Sequence, residues 1–417
     1  MDNIRLLTDK HVTAMARLMR NAYPGYDISE EAQQNTEKWV RRVVAGADGE
    51  IGLGCFDEHD QLVGGMQVLN QPMNLRMEMV NVIGLGGLCV DLLHKKKRIA
   101  LNLLHHSFKK GQTEGACMAI LDPFNIGFYK KMGCGVSVMN HQFKLKPSQL
   151  PHEGDRSLVC ELIEEDVPFI VEYVHRYYLQ HHGMLKMEEY EIRDILKECQ
   201  MTLGVRQKGK LSGIMPIRFE RTAPQNIFKT NLIVEEFLYD DPATANAFLT
   251  FLNAQADQVN QVIITSQDNH FESNFQNPDT GDDDTFHTRS NEMYRTGNGM
   301  MARILNMEKV FATVRVPAHE TQYFPMTIHI HDPLMEELSD VWSLKVRDGQ
   351  LSASRAENHT EYDGSVGISD LASLIMGAVT MKSLMRYGLV TINNANKMEA
   401  LGRVLQYPQA PVCLSRF

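Results

Sequence analysis

The chain has 417 residues, of which 43% are hydrophobic and 23% charged, as in a globular protein of two or three domains. Its formal net charge of −10 argues against general nucleic-acid binding, which usually requires a basic domain. Seven scattered cysteines without CxxC spacing indicate reduced, intracellular thiols rather than a disulfide framework. No run reaches the roughly 18 apolar residues of a membrane span, so we expect a cytoplasmic protein.

The first 150 residues alternate strand and helix signals. "NIRLLT" predicts a strand, and "DKHVTAMARLMRNAY" predicts a helix with Thr8 or Asp9 as its N-cap. A second helix over 31–44, three strands, the helix after Lys97, the strand "ACMAIL", a short helix near Tyr129 and the strand "VSVMNHQFKLK" follow. This order predicts a mixed sheet with helices on its faces, in a domain over residues 1–150.

Residues 151–300 repeat this plan. "SLVCELIEEDVPFIVEYVHRYYLQHH" matches the opening strand and helix, and "TLGVRQKGKLSGIMPIRFE" predicts a hairpin that turns at "KGK". Where the first copy has "HKKKRIALNLL", the second has "DDPATANAFLTFL", with Asp240 and Asp241 in place of lysines. Two carboxylates at a helix entry repel phosphate, so the second copy is predicted to keep the fold without an anion site.

The last part of the chain, residues 301–417, follows another pattern. Strands in "MTIHIHDPL" and "WSLKVRDGQLSASRA" precede helices from about Ser369 onward, which predicts an α+β domain. Before it, the polar segment 274–291 predicts a surface loop, and Ser290 stands where a calcium loop begun at Asp279 needs its glutamate. His329 and His331 share a strand face without an evident third ligand, so no metal is expected.

The stretch "VDLLHKKKRIALNLLHH", residues 90–106, sets four consecutive cations between a strand and a helix. The start of a helix exposes unpaired N–H groups and carries about half a positive charge. Flanking lysines add Coulomb attraction, so the layout predicts an anion site. A solvated, charged helix start without a ligand is the alternative.

Two motifs carry a resemblance to a known family. The basic stretch resembles motif A of the GNAT acetyltransferases, R/Q-x-x-G-x-G/A, with Lys95 first, Arg98 at the glycine and Ala100 last. The arginine departs from the motif and predicts a helical φ at that amide. "FYKKMGCG", residues 128–135, resembles Y-x-R/K-F/M-G-Y/F-G of the enhanced-intracellular-survival (Eis-like) acetyltransferases, with Cys134 in place of the aromatic residue.

The order of the three parts extends this resemblance over essentially the whole chain. It implies a mixed α/β or α+β chain: a catalytic GNAT domain (1–150), a degenerate second GNAT domain (151–300) and a sterol-carrier-protein-like domain (301–417). It also implies acetyl-CoA as the acetyl donor and a homo-oligomer, expected as a hexamer.

The resemblance assigns roles to individual residues. Tyr129 is implied as the general acid that protonates the departing thiolate, and the terminal carboxylate of Phe417 as the general base. The residues expected to bind the coenzyme are Leu88, Val90, Lys95, Lys96, Arg98 and Ile99.

The acceptor pocket is predicted from aromatic and acidic side chains near the first helices. Tyr26, Asp27 and Trp39 are its candidates, because carboxylates beside aromatic rings suit a polyamine. Ordinary surface residues at a helix start are the alternative interpretation for them.

The predicted function is acetyl transfer from acetyl-CoA to primary amines of a small cationic acceptor, which is a polyamine, an aminoglycoside or lysine. The alternative is a lipid carrier with vestigial GNAT domains, because "DLASLIMGAVTMKSLMRY" is apolar enough to line a pocket. Only the first copy keeps the basic turn and Tyr129, which favours the enzyme.

Overall fold

A computed structural model describes residues 3–25, 29–223, 225–226, 229–281, 290–357 and 361–415. Contacts divide the chain into two compact units. The first unit holds the residues up to Val138, His182–Leu185 and the residues from Gly299 onward, and the second holds Met139–His181 and Lys186–Asn298. The predicted division into the ranges 1–150, 151–300 and 301–417 stays a prediction.

The helices and strands follow in chain order. Up to Lys131 they are β1 (Ile4–Leu6), α1 (Val12–Ala22), α2 (Glu30–Val44), β2 (Glu50–Phe56), β3 (Leu62–Leu75), β4 (Glu78–Val90), α3 (Ile99–Thr113), β5 (Met118–Leu121) and α4 (Ile126–Lys131). The middle of the chain contains β6 (Gly135–Val136), β7 (Met139–Leu145), β8 (Val159–Leu162), α5 (Val167–Gln180), α6 (Glu189–Lys197), β9 (Met201–Gln207), β10 (Lys210–Arg221), β11 (Thr230–Val234), β12 (Leu238–Tyr239), α7 (Pro242–Asn253), β13 (Val262–Ser266) and β14 (Arg295–Asn298). The last part contains β15 (Met301–Ile304), α8 (Met307–Ala312), β16 (Met326–His331), β17 (Asp340–Arg347), β18 (Gln350–Arg355), β19 (Gly364–Gly367), α9 (Ile368–Met376), α10 (Met381–Arg386), β20 (Val390–Ile392) and α11 (Ala395–Leu405).

The first unit contains two sheets, in the orders β1-β2-β3-β4-β5-β15-β6 and β18-β17-β16-β19-β20. Strand β4 lies inside the first sheet, which explains its nearly continuous apolar sequence, since helices cover both faces of such a strand. One apolar cluster joins residues of both sheets, so the first GNAT-like sheet and the C-terminal sheet share a core.

The second unit contains a sheet in the order β14-β7-β13-β11-β10-β9-β8. Its β11 and β13 are parallel neighbours, as are β4 and β5 of the first sheet. The mixed α/β and α+β fold class, with tandem GNAT-like sheets and a separate C-terminal α+β part, is therefore as predicted.

Two strands lie in sheets that the linear pattern did not indicate. The strand predicted in "VSVMNHQFKLK" forms β7, which pairs with β13 and β14 in the second sheet. Strand β15, read as the start of the C-terminal part, inserts between β5 and β6 in the first sheet. Short apolar strands carry no information about which sheet they join, so only tertiary pairing decides this.

Candidate active site

The site begins where two strands of the first sheet part. Strand β5 pairs with β4 from Met118 to Leu121, where the partners are Val82 to Leu85, and there β5 ends. Strand β4 continues to Val90, so its last residues have no β5 partner. A shift in the register with β3 occurs in the same stretch, where Gly87 has a φ of +56°. Glycine suits this position, because it enters the left-handed region without strain.

The backbone of β4 turns polar groups into this gap. The Asp91 N–H donates to the Val63 carbonyl of β3 at 2.9 Å. Backbone groups alternate along a regular strand, so the Val90 amide points away from β3, toward the side that β5 has left; Leu88 lies in the register shift beside Gly87 and lines the gap. The Leu88 carbonyl lies on the same edge and accepts a hydrogen bond from the Tyr23 hydroxyl at 2.8 Å. The two predicted residues therefore lie at the gap.

A cavity of about 490 Å³ occupies the gap. It is lined by Met19, Tyr23, Trp39, Met66, Leu85, Gly86, Gly87, Leu88, Leu104, Asp122, Pro123, Phe124 and Tyr129. Trp39 comes from α2 on one face of the sheet, whereas Leu104 comes from α3 on the other. The cavity thus passes through the sheet, so two molecules can meet in it from opposite faces.

Close packing makes Gly87 necessary for this cavity. A Cβ atom built on Gly87 would lie 2.9 Å from Cη2 of Trp39, closer than real Cβ atoms approach other atoms. Trp39 therefore reaches the bulged strand only because position 87 has no side chain. The predicted acceptor residue Trp39 is placed in the cavity wall by this contact.

Tyr129 lies on α4 with only 4% of its surface exposed. Asn125 caps this helix by accepting a hydrogen bond from the Phe128 N–H at 2.9 Å. Burial raises the pKa of the Tyr129 hydroxyl, and the nearby Tyr23, Cys134 and Asp122 raise it further. The hydroxyl is therefore protonated at neutral pH, and the raised pKa makes it a weaker acid than a free tyrosine.

A buried ion pair holds the end of α4. Arg303 of β15, fully buried, donates to the Met132 carbonyl and to Asp332 Oδ2, the latter at 2.6 Å. Its guanidinium packs against Gly133, where a Cβ would lie 1.7 Å from Nη1. The sequence analysis missed this pair, although an arginine inside the apolar run "MARIL" was a signal for it.

The basic turn lies at the start of α3. Lys95, Lys96, Lys97 and Arg98 are exposed, and among the described residues none of them forms a salt bridge. Asp91 caps the preceding turn by accepting from the Leu93 N–H at 2.9 Å. Ile99 is buried against Gly64, so only its backbone N–H is available to a ligand.

The expectation of a helical φ at Arg98 is wrong. Arg98 has a φ of +62° and Lys96 a φ of +65°, both left-handed. The turn therefore has the backbone form that a glycine would give it, although each such residue costs about 1 kcal/mol. Such turns direct successive N–H groups to one side, which forms a concave site for an anion.

Three predicted site residues, Tyr26, Asp27 and Phe417, lie outside the described residues. The last described residues before Phe417 are buried, with Ser415 3% and Leu414 7% exposed. The Val412 N–H donates to the His182 carbonyl at 2.8 Å, which fixes the tail to the first unit. The sequence analysis did not identify Asp122 and Phe124, which directly follow β5 and line the cavity.

Across the described ranges, no helix is long and apolar enough to cross a membrane. The same residues contain no group of three or more histidine, cysteine, aspartate or glutamate side chains able to hold a metal ion.

Comparison with known proteins places this site in a family. Residues 3–137 match the acetyltransferase (GNAT) domain, and residues 307–414 match the sterol carrier protein domain. None of the curated proteins matches the sequence.

Several solved structures share the fold over the full length. A GCN5-related N-acetyltransferase from Anabaena variabilis aligns with a TM-score of 0.82 at 13% identity, over 100% of both chains. One from Kribbella flavida has a TM-score of 0.78 at 18% identity, over 100% of this chain and 99% of that one. Eis1 from Mycobacterium abscessus has a TM-score of 0.77 at 15% identity, over 100% of both. These identities show a shared fold, and the two matches show that the chain contains an acetyltransferase (GNAT) domain and a C-terminal sterol carrier protein domain, within the full-length fold that it shares with Eis1.

Proposed function

We propose that this protein transfers an acetyl group from acetyl-CoA to a primary amine of a cationic acceptor, which is a polyamine, an aminoglycoside or lysine. The observation that carries the proposal is the cavity through the sheet at the end of β5. It brings the amides of β4, the buried Tyr129 hydroxyl and an aromatic wall together. Direct transfer between two bound substrates suits a cavity that opens to both faces.

In this proposal acetyl-CoA, the acetyl donor, lies along the gap between β4 and β5. Lys95, Lys96 and the N–H groups of Arg98 and Ile99 bind the phosphates of the coenzyme at the start of α3. The amides of Leu88 and Val90 bind the pantetheine arm and the thioester oxygen. Donors aimed at the developing oxyanion typically contribute about 10²–10³ in rate each.

Tyr129 is the proposed general acid. Attack by the amine nitrogen on the thioester carbon breaks the carbon–sulfur bond, and the thiolate takes the Tyr129 proton. The raised pKa keeps the hydroxyl protonated but makes it a weaker acid than a free tyrosine, so the transfer requires the negative charge that develops on the sulfur. Its T-shaped contacts with Phe124 and Phe128, at 5.6 and 5.1 Å between ring centroids, hold the ring in place.

The terminal carboxylate of Phe417 is the proposed general base. An alkyl amine with a pKa of about 10.4 is only about 0.04% neutral at pH 7, so a group that removes its proton accelerates the reaction. The described tail supports this role, because Ser415 is 3% exposed and Cys413 belongs to the core of the first unit. Deleting Phe417, or adding two glycines after it, is expected to lower kcat and leave the Kd of acetyl-CoA within about twofold. An unchanged kcat in both variants would remove the carboxylate from the mechanism.

The match of residues 307–414 to the sterol carrier protein domain is the observation that favours the carrier alternative, but the described side chains of this part do not suit a lipid. The apolar side chains of α9 are buried, and the helix packs on β15 and β6. A 620 Å³ cavity in the C-terminal part is lined by polar side chains such as Thr327, Asp363 and Lys397, which do not suit a lipid.

Thiol release from acetyl-CoA tests the proposal. The purified protein is assayed with polyamines, aminoglycosides, lysine peptides and no acceptor, and amine-dependent release is expected. Mass spectrometry of the product must show one added acetyl group. Binding of acetyl-CoA without release for any amine would exclude these acceptor classes, and absence of binding would overturn the proposal. Light scattering of the same sample checks the expected homo-oligomer, a hexamer by resemblance.

A further inference from the structure

Asp122 is the one charged side chain among the described residues that line the cavity. It directly follows β5, at the place where β4 and β5 part. The other polar lining groups are the hydroxyls of Tyr23 and Tyr129 and the indole of Trp39. A ligand in this cavity therefore meets a negative charge and aromatic rings.

The carboxylate has no protein partner among the described residues: no N–H, hydroxyl or cation bonds to it. Other aspartates of the first unit are paired, such as Asp332 with Arg303 and Asp91 with His94. Asp122 is an exposed residue at the edge of the cavity, and the protein atoms around its carboxyl still remove enough water to raise the pKa of that carboxyl. An unpaired carboxylate at a cavity has unused capacity to bind a cation.

Aromatic rings complete the site. Phe124 is 65% exposed beside Asp122, and its ring stacks on Phe128 with centroids 6.1 Å apart. Trp39 and Tyr23 add aromatic surface inside the cavity. Aromatic faces and a carboxylate together attract alkylammonium groups, by cation–π and ionic interaction respectively.

The nearest cations on α1 do not neutralise this site. Arg17 and Arg20 line a separate pocket of 170 Å³ between α1 and α2, and Arg20 donates to Gln33 Oε1 at 2.8 Å. The titratable groups that share the cavity with Asp122 are Tyr23 and Tyr129. Burial keeps Tyr129 neutral at physiological pH.

From this geometry we infer that Asp122 binds the ammonium group of the acceptor and makes the enzyme select cationic amines over neutral ones. This inference rests on the proposed function and adds the residue that sets its acceptor class. Asp122 acts in binding, and the proton chemistry remains with Tyr129 and the terminal carboxylate.

The test compares wild type with Asp122→Asn and Asp122→Glu, using 1,3-diaminopropane and p-anisidine, an aromatic amine that is neutral at pH 7. Asp122→Asn is expected to raise the diamine KM about 10- to 100-fold, as for loss of a partly desolvated ion pair, and to leave the acetyl-CoA KM within about twofold. The p-anisidine KM should stay unchanged, and Asp122→Glu should recover part of the loss. Glu58→Gln, which removes an equally negative surface charge, is the matched control.

The pH dependence of the diamine KM separates a binding role of Asp122 from a purely structural one. The diamine KM of the wild type should rise as pH falls through the raised pKa of Asp122, because the protonated carboxyl no longer holds an ammonium. This rise should be absent in Asp122→Asn. A diamine KM within twofold of wild type in Asp122→Asn would overturn the inference. Absence of amine-dependent release in the wild type would instead overturn the proposed function. In that case calorimetry of diamine binding to the wild type and to Asp122→Asn, each loaded with coenzyme A, would still decide the role of Asp122.

Discussion

The two GNAT-like sheets differ at the gap between their parting parallel strands. In the second sheet β11 and β13 pair only from Leu232–Val262 to Val234–Ile264. After β11 the chain turns away from its neighbour β13 and forms β12, which pairs with β10. The backbone layout is therefore that of the first sheet. What differs is how the side chains fill the space, so the same backbone layout leaves a cavity in one sheet and a packed core in the other.

Aromatic side chains close the second gap. Phe237, between β11 and β12, contacts Phe271, after β13, with ring centroids 5.5 Å apart. Phe271 also contacts Phe143 and Phe275 at 5.4 Å, and it is 2% exposed. In the first sheet the corresponding space is the 490 Å³ cavity. A pantetheine arm has room in the first sheet and meets packed rings in the second.

The starts of α7 in the second sheet and α3 in the first also differ in charge. Asp241 caps α7 with its own carboxylate, which accepts from the Thr244 N–H at 2.9 Å. Asp240 pairs with Arg176 at 2.8 Å. The second sheet thus satisfies its helix start internally, whereas the start of α3 presents exposed cations and left-handed residues to a ligand. The prediction that the second copy lacks an anion site follows from this replacement.

The largest effect should come from replacing Tyr129 of α4, which lines the cavity of the first sheet. Tyr129→Phe removes the proposed proton donor, so kcat should fall about 10²- to 10⁴-fold with little change in the acetyl-CoA Kd. Tyr177→Phe, a buried tyrosine of the second unit, should leave kcat unchanged. Steady-state kinetics and coenzyme titration measure both. Equal kcat in Tyr129→Phe and wild type would exclude Tyr129 as the proton donor.

Opening the filled gap should destabilise the second unit. Phe271→Ala removes a buried ring that contacts three other phenylalanines, so the free energy of unfolding should fall by about 3–5 kcal/mol. The exposed Phe219→Ala is the control and should cost less than about 1 kcal/mol. Urea denaturation followed by circular dichroism measures the difference. A loss for Phe271→Ala as small as that of the control would mean that the rings do not support the gap.

Reversing the charge of the basic turn should weaken coenzyme binding. Lys95→Glu with Lys96→Glu should raise the Kd of acetyl-CoA about 10- to 100-fold at low salt, and less at high salt because ions screen exposed charges. The same changes at Lys208 and Lys210, which flank the β9–β10 turn of the second unit, form the matched control. Calorimetry at two salt concentrations measures them. A Kd that stays within twofold of wild type would end the case for a phosphate site at this turn.

The smallest effect concerns the left-handed residue of that turn. Arg98→Gly restores the residue of the GNAT motif and removes strain, so the free energy of unfolding should rise by about 0.5–1 kcal/mol. The acetyl-CoA Kd should change by less than about threefold, since one exposed cation is lost while the turn is kept. Arg98→Pro, which cannot adopt a positive φ, is the contrast and should weaken binding more strongly. Destabilisation by Arg98→Gly would mean that side-chain contacts of Arg98 outweigh its strain.

Much of the candidate site was predictable, because residue type there reports chemistry directly. Four adjacent cations in an acidic chain stand out in any window, and the tyrosine of "FYKKMGCG" belongs to a recognisable motif. Leu88 and Val90 were assigned by the resemblance, because backbone amides leave no mark in the residue types. Asp122 escaped notice, since an aspartate followed by proline after a strand is ordinary turn sequence until the cavity beside it is known.

The amino-acid sequence alone determined the order of strands and helices and the two GNAT-like copies, and it predicts that the second copy lacks an anion site. Periodicity and local charge produce these features, and both act over a few residues. The tertiary structure decided the pairing of β7 and β15, the left-handed backbone at Arg98, the buried Arg303–Asp332 pair and the position of the Asp122 carboxylate at the cavity. Each of these depends on atoms distant in the chain that come together only when the core packs.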